Sequence, residues 1–324
     1  MQDVAEAAGV SRALVSIVMR GVPGASDDTR AHVTETARRL GYVPDARARA
    51  LRQQGRQAIG VAFQPERFHT ALIDGIYAAA QGTGHPVVLS AVTDLHDEDT
   101  ALTSLVADRC GALITLGARL DEERLRVISS RAPVIAVART LRSPDLEFVA
   151  SDDHVGLSMA VEYLVTLGHR RIAFCEAPGS SGNPERCAGY VDAMTRHDLA
   201  PLIDIIASGA NEEAGAAAAL SLLARDELPD AVIAFNDACA AGIQDVLVRA
   251  GIAIPGDVSL VGFDDSDISR ISYRRITTVR QDIAALSRLA TERALARMRG
   301  EPVHPGGHIV PTALVVRDTT GPVT

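Results

Sequence analysis

Asp3-Val4-Ala5-Glu6-Ala7-Ala8-Gly9-Val10-Ser11-Arg12-Ala13-Leu14-Val15-Ser16-Ile17-Val18 reads as two short helices around a tight turn. Residues 2–8 are helix formers and small apolar side chains, Gly9 tolerates positive φ, and Ser11 is a good N-cap for a second helix over residues 12–20. Two helices that cross steeply need a small residue where they touch, and Ala5 supplies it. Val4, Ala8, Val10, Val15 and Val18 fall where these helices would meet a third. Ser26 caps that third helix, Asp27 and Asp28 sit where the helix dipole favours acids, and Gly41 ends it after Leu40. A small structural helical hairpin and a helix-turn-helix both satisfy this pattern. The next segment, Arg38-Arg39-Leu40-Gly41-Tyr42-Val43-Pro44-Asp45-Ala46-Arg47-Ala48-Arg49-Ala50-Leu51-Arg52, weighs toward the second.

Charge is distributed unevenly. The 324 residues carry a formal −9, which argues at first against nucleic acid. Residues 1–56 nevertheless hold nine arginines against six acids, a net +3, leaving −12 on the remainder. A small basic head on an acidic body suits a protein whose head alone touches phosphates. All 32 basic residues are arginine.

From Ala58 short apolar runs alternate with amphipathic stretches. Strands are expected over 59–63, 86–90, 112–116, 133–137, 171–175, 231–235 and 258–263. Helices are expected over 71–81, 100–108, 122–130, 155–167, 184–197, 213–224 and 238–250. Such alternation means βαβ units, parallel sheets and helices on both faces. The series restarts near Arg171 after a break at 143–149, which suggests two similar subdomains and a ligand cleft between them.

Several classes drop out. No apolar run approaches the roughly 20 residues of a membrane span, and the N-terminus lacks a basic and apolar signal pattern. Cys110, Cys175, Cys187 and Cys239 lie far apart and form no C-x-x-C pair, so neither a disulfide framework nor a zinc site is expected. No catalytic residue, metal or cofactor is expected: the chain has no G-x-S-x-G, H-E-x-x-H or P-loop pattern, and the paired carboxylates Asp152-Asp153 and Asp264-Asp265 read better as ligand hydrogen-bonders.

The chain resembles the lactose-repressor/galactose-repressor (LacI/GalR) family of transcription regulators. The matching residues are Asp3-Val4-Ala5, Ala8-Gly9-Val10-Ser11, Val15-Ser16, Leu40-Gly41-Tyr42-x-Pro44 and Ala48-x-x-Leu51. Further on, Gly168-His169-Arg170-Arg171-Ile172-Ala173-Phe174, Arg186-x-x-Gly189-Tyr190, Phe235-Asn236-Asp237, Val261-Gly262-Phe263-Asp264-Asp265 and Thr277-Thr278-Val279-Arg280-Gln281 match as well. The resemblance implies an α/β chain: a small all-α helix-turn-helix head, then a periplasmic-binding-protein-like body of two doubly wound parallel α/β subdomains. The expected divisions are 1–44 for the head, 45–57 for a hinge helix and linker, and 58–324 for the effector-binding and dimerisation domain, with crossovers near 143–152 and 264–282.

It also implies partners and residues. A homodimer would bind palindromic double-stranded operator DNA, respond to a small effector and act in the cytoplasm, usually as a repressor. Arg12–Arg20 would be the recognition helix in the major groove, with Arg12, Ala13 and Ile17 at base-facing positions and Ser11 and Ser16 on phosphates. Arg47, Ala48, Leu51 and Arg52 would belong to the hinge, Leu51 wedging into the minor groove. The effector would meet Arg186, Asn236 and Asp264, with Phe68, Asp152, Gln281 and Arg139 nearby. Several positions depart from the family pattern. Ile17 replaces a common base-reading arginine, Ala138 a usual Asp and Asp153 a frequent Asn, while the stretch 64–69 is short. Met1 falls where the first helix normally begins, so either the head is weakened or the start lies upstream. These departures leave sugar, sugar acid, polyol, nucleoside or no ligand at all open. A solute-binding protein or a sugar- or nucleoside-processing enzyme on the same body remains the alternative; the basic head counts against the first, and turnover of a bound sugar or nucleoside would support the second.

Overall fold

The computed structural model describes residues 1–20, 23–42, 58–304 and 306–323. They fall into two compact units, Met1–Arg56 and Gln57–Thr324. In the first, α1 (Gln2–Ala7), α2 (Arg12–Arg20) and α3 (Asp27–Arg39) enclose a core of Val4, Ala5, Ala8, Val15, Val18, Val33 and Ala37. Gly9 adopts φ +64°, which lets the chain turn sharply enough for α1 and α2 to share this core. The Ser11 hydroxyl accepts the Leu14 N–H at 3.1 Å, and Ser26 accepts from Thr29 N–H. So small an apolar core makes such caps, at about 1 kcal/mol each, a large share of what holds the unit together.

The second unit is a pair of lobes, each built on a six-stranded sheet. The first lobe takes β1 (Ile59–Phe63), α4 (Arg67–Ala80), β2 (Val87–Ala91), α5 (Glu98–Ala107), β3 (Ala112–Leu116), α6 (Glu122–Ser129), β4 (Val134–Val137) and β5 (Glu147–Ser151). The second takes α7 (Asp153–Thr166), β6 (Ile172–Glu176), α8 (Asn183–Arg196), β7 (Asp204–Ala207), α9 (Glu212–Leu223), β8 (Ala231–Ala234), α10 (Asp237–Arg249), β9 (Ser259–Asp264) and β10 (Thr277–Arg280). The chain then returns to the first lobe for α11 (Ile283–Met298) and β11 (His308–Val310), and ends with β12 (Ala313–Val315) in the second. The strand orders are β11-β5-β4-β3-β1-β2 and β12-β10-β9-β8-β6-β7, parallel throughout except for β12 against β10. Central strands such as β3 and β9 are buried along their whole length, because helices cover both faces.

Two expectations need correction. Residues 147–149, read as the end of a break, belong to β5, whose five residues are all buried; the break is only the loop before it. The lobes are joined by three crossings rather than two, at 152, at 281–282 and at 311–312. The missed crossing arises because β11 and β12 are three-residue edge strands, too short to carry a periodic pattern.

Candidate functional site

All three crossings lie where the strands of both sheets end, and the cleft between the lobes opens there. Its inner cavity measures about 50 Å³ and is lined by Glu66, Phe68, His69, Arg186, Asn236 and Asp264 among others. A second cavity of about 360 Å³ shares Glu66, Phe68, Asn236 and Asp264 with it and opens outward. Together they fall near the lower end of the roughly 300–1,000 Å³ range typical of small-molecule sites, while the inner one alone admits little more than water. Contacts between the lobes hold this narrow shape. Arg67, at the start of α4, lies 3.2 Å from Asp267 and 3.9 Å from Glu212. The Ser181 hydroxyl donates to the Ala138 carbonyl, and Thr140 donates to Glu185.

Arg186, on α8, lines the inner cavity and is only 5% exposed. Its Nη1 donates to the Phe235 carbonyl at 2.6 Å, and Nη2 lies 3.5 Å from Asp153 and 3.8 Å from Asp264. The guanidinium also stands over Phe263 at 3.7 Å and Phe235 at 4.5 Å from the ring centres. Its Nε is buried without a hydrogen-bond partner among the described residues. Asp264 ends β9 at φ +106°, a strained position for a residue with a side chain. Its neighbour Asp265, at φ +53°, is held by Arg270, Arg280 and Arg317, which anchor the turn. Gln281 donates to Asp264 Oδ1 at 2.7 Å while accepting from Ser151, so the middle crossing fixes the carboxyl's direction.

Burial dominates the electrostatics of this cluster. It pushes the Asp264 carboxyl up to about 8, with Asp237 and Asp153 adding to the push and Arg186 and Gln281 opposing it. Burial likewise pushes Asp153 up to about 6 against the pull of Arg186. Asp237 rises to about 6 for the same reason, although Thr278 and Ser266 hydrogen-bond it. His69 goes the other way: burial lowers its pKa and keeps the imidazole neutral, and its Nδ1 donates to the Gln64 carbonyl at 3.1 Å.

The cleft gathers Phe68, Arg186, Asn236 and Asp264 around one cavity, with Gln281 bonded behind Asp264. Asn236 also has a structural duty, since its Oδ1 caps α10 at Cys239 and its amide nitrogen donates to the Ala210 carbonyl. Two expected residues stay out. Arg139 donates to the carbonyls of Ala118 and Leu120, because Ala138 at φ +62° turns the chain and sends the next side chain away from the cavity. Asp152 caps α7 at Val155 N–H, and it is Asp153, one residue on, that faces Arg186. Glu66, His69 and Ser181 were not singled out from sequence; a helix beginning at Arg67 rather than at 71 is what points His69 inward.

In the head, Arg12 and Ala13 are exposed on the first turn of α2, and Ser11 is exposed while capping it. Ser16 is half-buried. Ile17 is half-buried too and approaches Gly24, so it serves packing as well as any outer contact. Arg47, Ala48, Leu51 and Arg52 lie outside the described residues.

Residues 1–45 match the bacterial regulatory proteins of the lacI family, and residues 161–320 match a periplasmic binding protein-like domain. The HTH-type transcriptional regulator GalR of Salmonella typhimurium is 32% identical over 330 residues, covering 100% of this chain and 96% of the relative. The chain belongs to the lacI family of bacterial regulatory proteins. Solved lacI-family structures agree. A LacI transcriptional regulator from a Rhodococcus species is 39% identical, with a TM-score of 0.79 over 82% of this chain and 99% of that one. The lac repressor dimer bound to operator and the anti-inducer ONPF is 27% identical, with a TM-score of 0.82 over 98% of both chains. This lacI-family chain is therefore a DNA-binding transcription regulator with a periplasmic-binding-protein-like body, and its relatives are regulators rather than enzymes. Among the described residues, no helix is long and apolar enough to cross a membrane.

Proposed function

We propose that this regulator binds a palindromic operator as a cytoplasmic homodimer and releases or tightens its grip when a small effector occupies the cleft. The observation that carries this reading is the buried pair Arg186 and Asp264, with Gln281 bonded behind it, in a cavity whose walls come from both lobes. A ligand gripped by both lobes stabilises one lobe arrangement over another, and only such unequal affinity can shift a conformational equilibrium. Phe68, Arg186, Asn236 and Asp264 would touch the effector, and Gln281 would hold Asp264 in place. In the head, Arg12 and Ala13 would read base edges, with Ile17 contributing less, while Ser11 and Ser16 would approach phosphates. Arg47, Ala48, Leu51 and Arg52 would act from a hinge over residues 45–57, joining a head of 1–44 to a body of 58–324. The lac repressor relative is a dimer on its operator, which favours the same arrangement here.

Selection of bound duplexes from a random pool by the purified full-length protein tests the reading. An inverted repeat is expected, with affinity falling steeply as salt rises. Recovery of no common sequence at low salt would overturn it. Arg12→Ala is expected to weaken the selected duplex by about 1–3 kcal/mol if Arg12 reads a guanine.

A further inference from the structure

The hydrogen-bonding capacity of the cleft is lopsided. Apart from Arg186 Nε, which has no hydrogen-bond partner among the described residues, the donors of Arg186, Asn236 and Ser181 on its inner wall meet protein groups: Arg186 Nη1 the Phe235 carbonyl, Asn236 the Ala210 carbonyl, and Ser181 the Ala138 carbonyl. The acceptors are less engaged. Asp264 is 7% exposed and lines the cavity; Oδ1 accepts from Gln281, and Oδ2 accepts no hydrogen bond from a described residue. Glu66 lines both cavities, and its carboxylate accepts none either among the described residues. His69 donates through Nδ1 to Gln64 and is neutral, which leaves Nε2 as an acceptor.

Charge points the same way. One buried guanidinium, Arg186, stands against two buried carboxyls, Asp153 and Asp264. Arg119 sits at the rim and is exposed, but it also borders a neighbouring hollow of about 710 Å³ that adds Asp94, Asp97, Glu98 and Asp99 and no further arginine. The approach to the cleft is therefore acidic, and a clustered field of one sign raises the local concentration of the opposite ion. An effector bearing a carboxylate would set another acidic group beside Asp153 and Asp264, with Arg186 as the one buried guanidinium next to them.

We propose that the effector carries a protonated amine on a small polyhydroxylated frame, an amino sugar in its simplest form, with the ammonium seated against Asp264 and Glu66. An ammonium has three donors and no acceptor, the complement of this wall, and charge-assisted bonds to carboxylates are the stronger kind. Phe68 and Phe235 give the apolar flank for the C–H face of a sugar ring. Burial pushes Asp264 and Asp153 up, and Arg186 is the buried guanidinium that opposes it. The proposal rests on the cleft being the effector site.

Calorimetric titration of the full-length protein at pH 6.5 tests it, using glucosamine and galactosamine, their N-acetyl derivatives, glucose, galactose and glucuronate. One of the amines is expected to bind at least about tenfold more tightly than its neutral parent, equivalent to about 1.4 kcal/mol, and glucuronate is expected to bind weakest. The amine preference is expected to collapse in Asp264→Asn, which keeps the shape and removes the carboxyl that a bound ammonium would draw into its ionised form. A neutral sugar or glucuronate binding as tightly as the amines, no binding by either amine, or a preference that survives Asp264→Asn would each overturn the proposal. The duplex selection described above is read on the same preparation. Amine preference without sequence-selective DNA binding would remove the regulatory role and leave the ligand class; selective DNA binding with no amine preference would do the reverse.

Discussion

At the residue scale, the cleft turns on a carboxyl that the fold keeps from ionising. Asp264 is raised to about 8 by burial, with Asp153 and Asp237 beside it and Arg186 and Gln281 in opposition. A carboxyl whose folded-state pKa exceeds its unfolded value holds its proton more tightly when folded. Its contribution is fully present below the unfolded value, near 4, and is lost as pH rises through the folded one. Asp153 and Asp237 act in the same sense up to about 6, so the interval from pH 6 to 8 belongs mainly to Asp264. Thermal unfolding is expected to show the wild-type body losing stability across that interval while Asp264→Asn gives a flatter profile; parallel profiles would contradict this. The sequence made Arg186, Asn236 and Asp264 legible because each stands in a motif. It did not distinguish Asp152 from Asp153, since one residue of register at a helix start decides which carboxyl caps and which is buried. Nor did it place Arg139, whose direction is set by the positive φ of the alanine before it.

At the element scale, the helices and central strands were readable from apolar periodicity, and their ends mostly shift by one to four residues. Four short strands were not. β7, β10, β11 and β12 are three or four residues long, and β10, Thr277-Thr278-Val279-Arg280, carries threonines where an apolar run was sought. α11 was missed because its buried face uses Ala290, Thr291, Ala294 and Ser287, small residues that let it pack closely on α4. Small residues also set the α9–α10 contact. A Cβ at Gly242 would lie 1.9 Å from the Glu212 carbonyl oxygen, and one at Gly215 would lie 2.1 Å from that of Cys239. Backbone cannot yield as a side-chain tip can, so Gly242→Ala is expected to destabilise the body by about 1–3 kcal/mol, measured by denaturant unfolding. An unchanged midpoint would show that the two helices can separate at no cost. In the head, Ser11→Ala removes the cap of α2 and is expected to cost about 1 kcal/mol there.

At the scale of the whole molecule, the chain passes between the lobes three times, and the middle passage carries Gln281, which touches Asp264. Any change in lobe arrangement must bend that connection, so the site and the lobe geometry are mechanically one system. The doubly wound architecture was legible because alternating apolar strands and amphipathic helices admit few other folds; the third crossing was not, since it depends on two short strands near the C-terminus. Arg67, with Asp267 and Glu212, bridges the lobes beside the second cavity. The most direct measurement is the dissociation constant for the selected duplex, with and without a saturating concentration of whichever sugar or amino sugar the titration shows to bind. The account predicts a change of about 5–150-fold in either direction, abolished by Arg186→Gln. An identical constant with the ligand bound would contradict it.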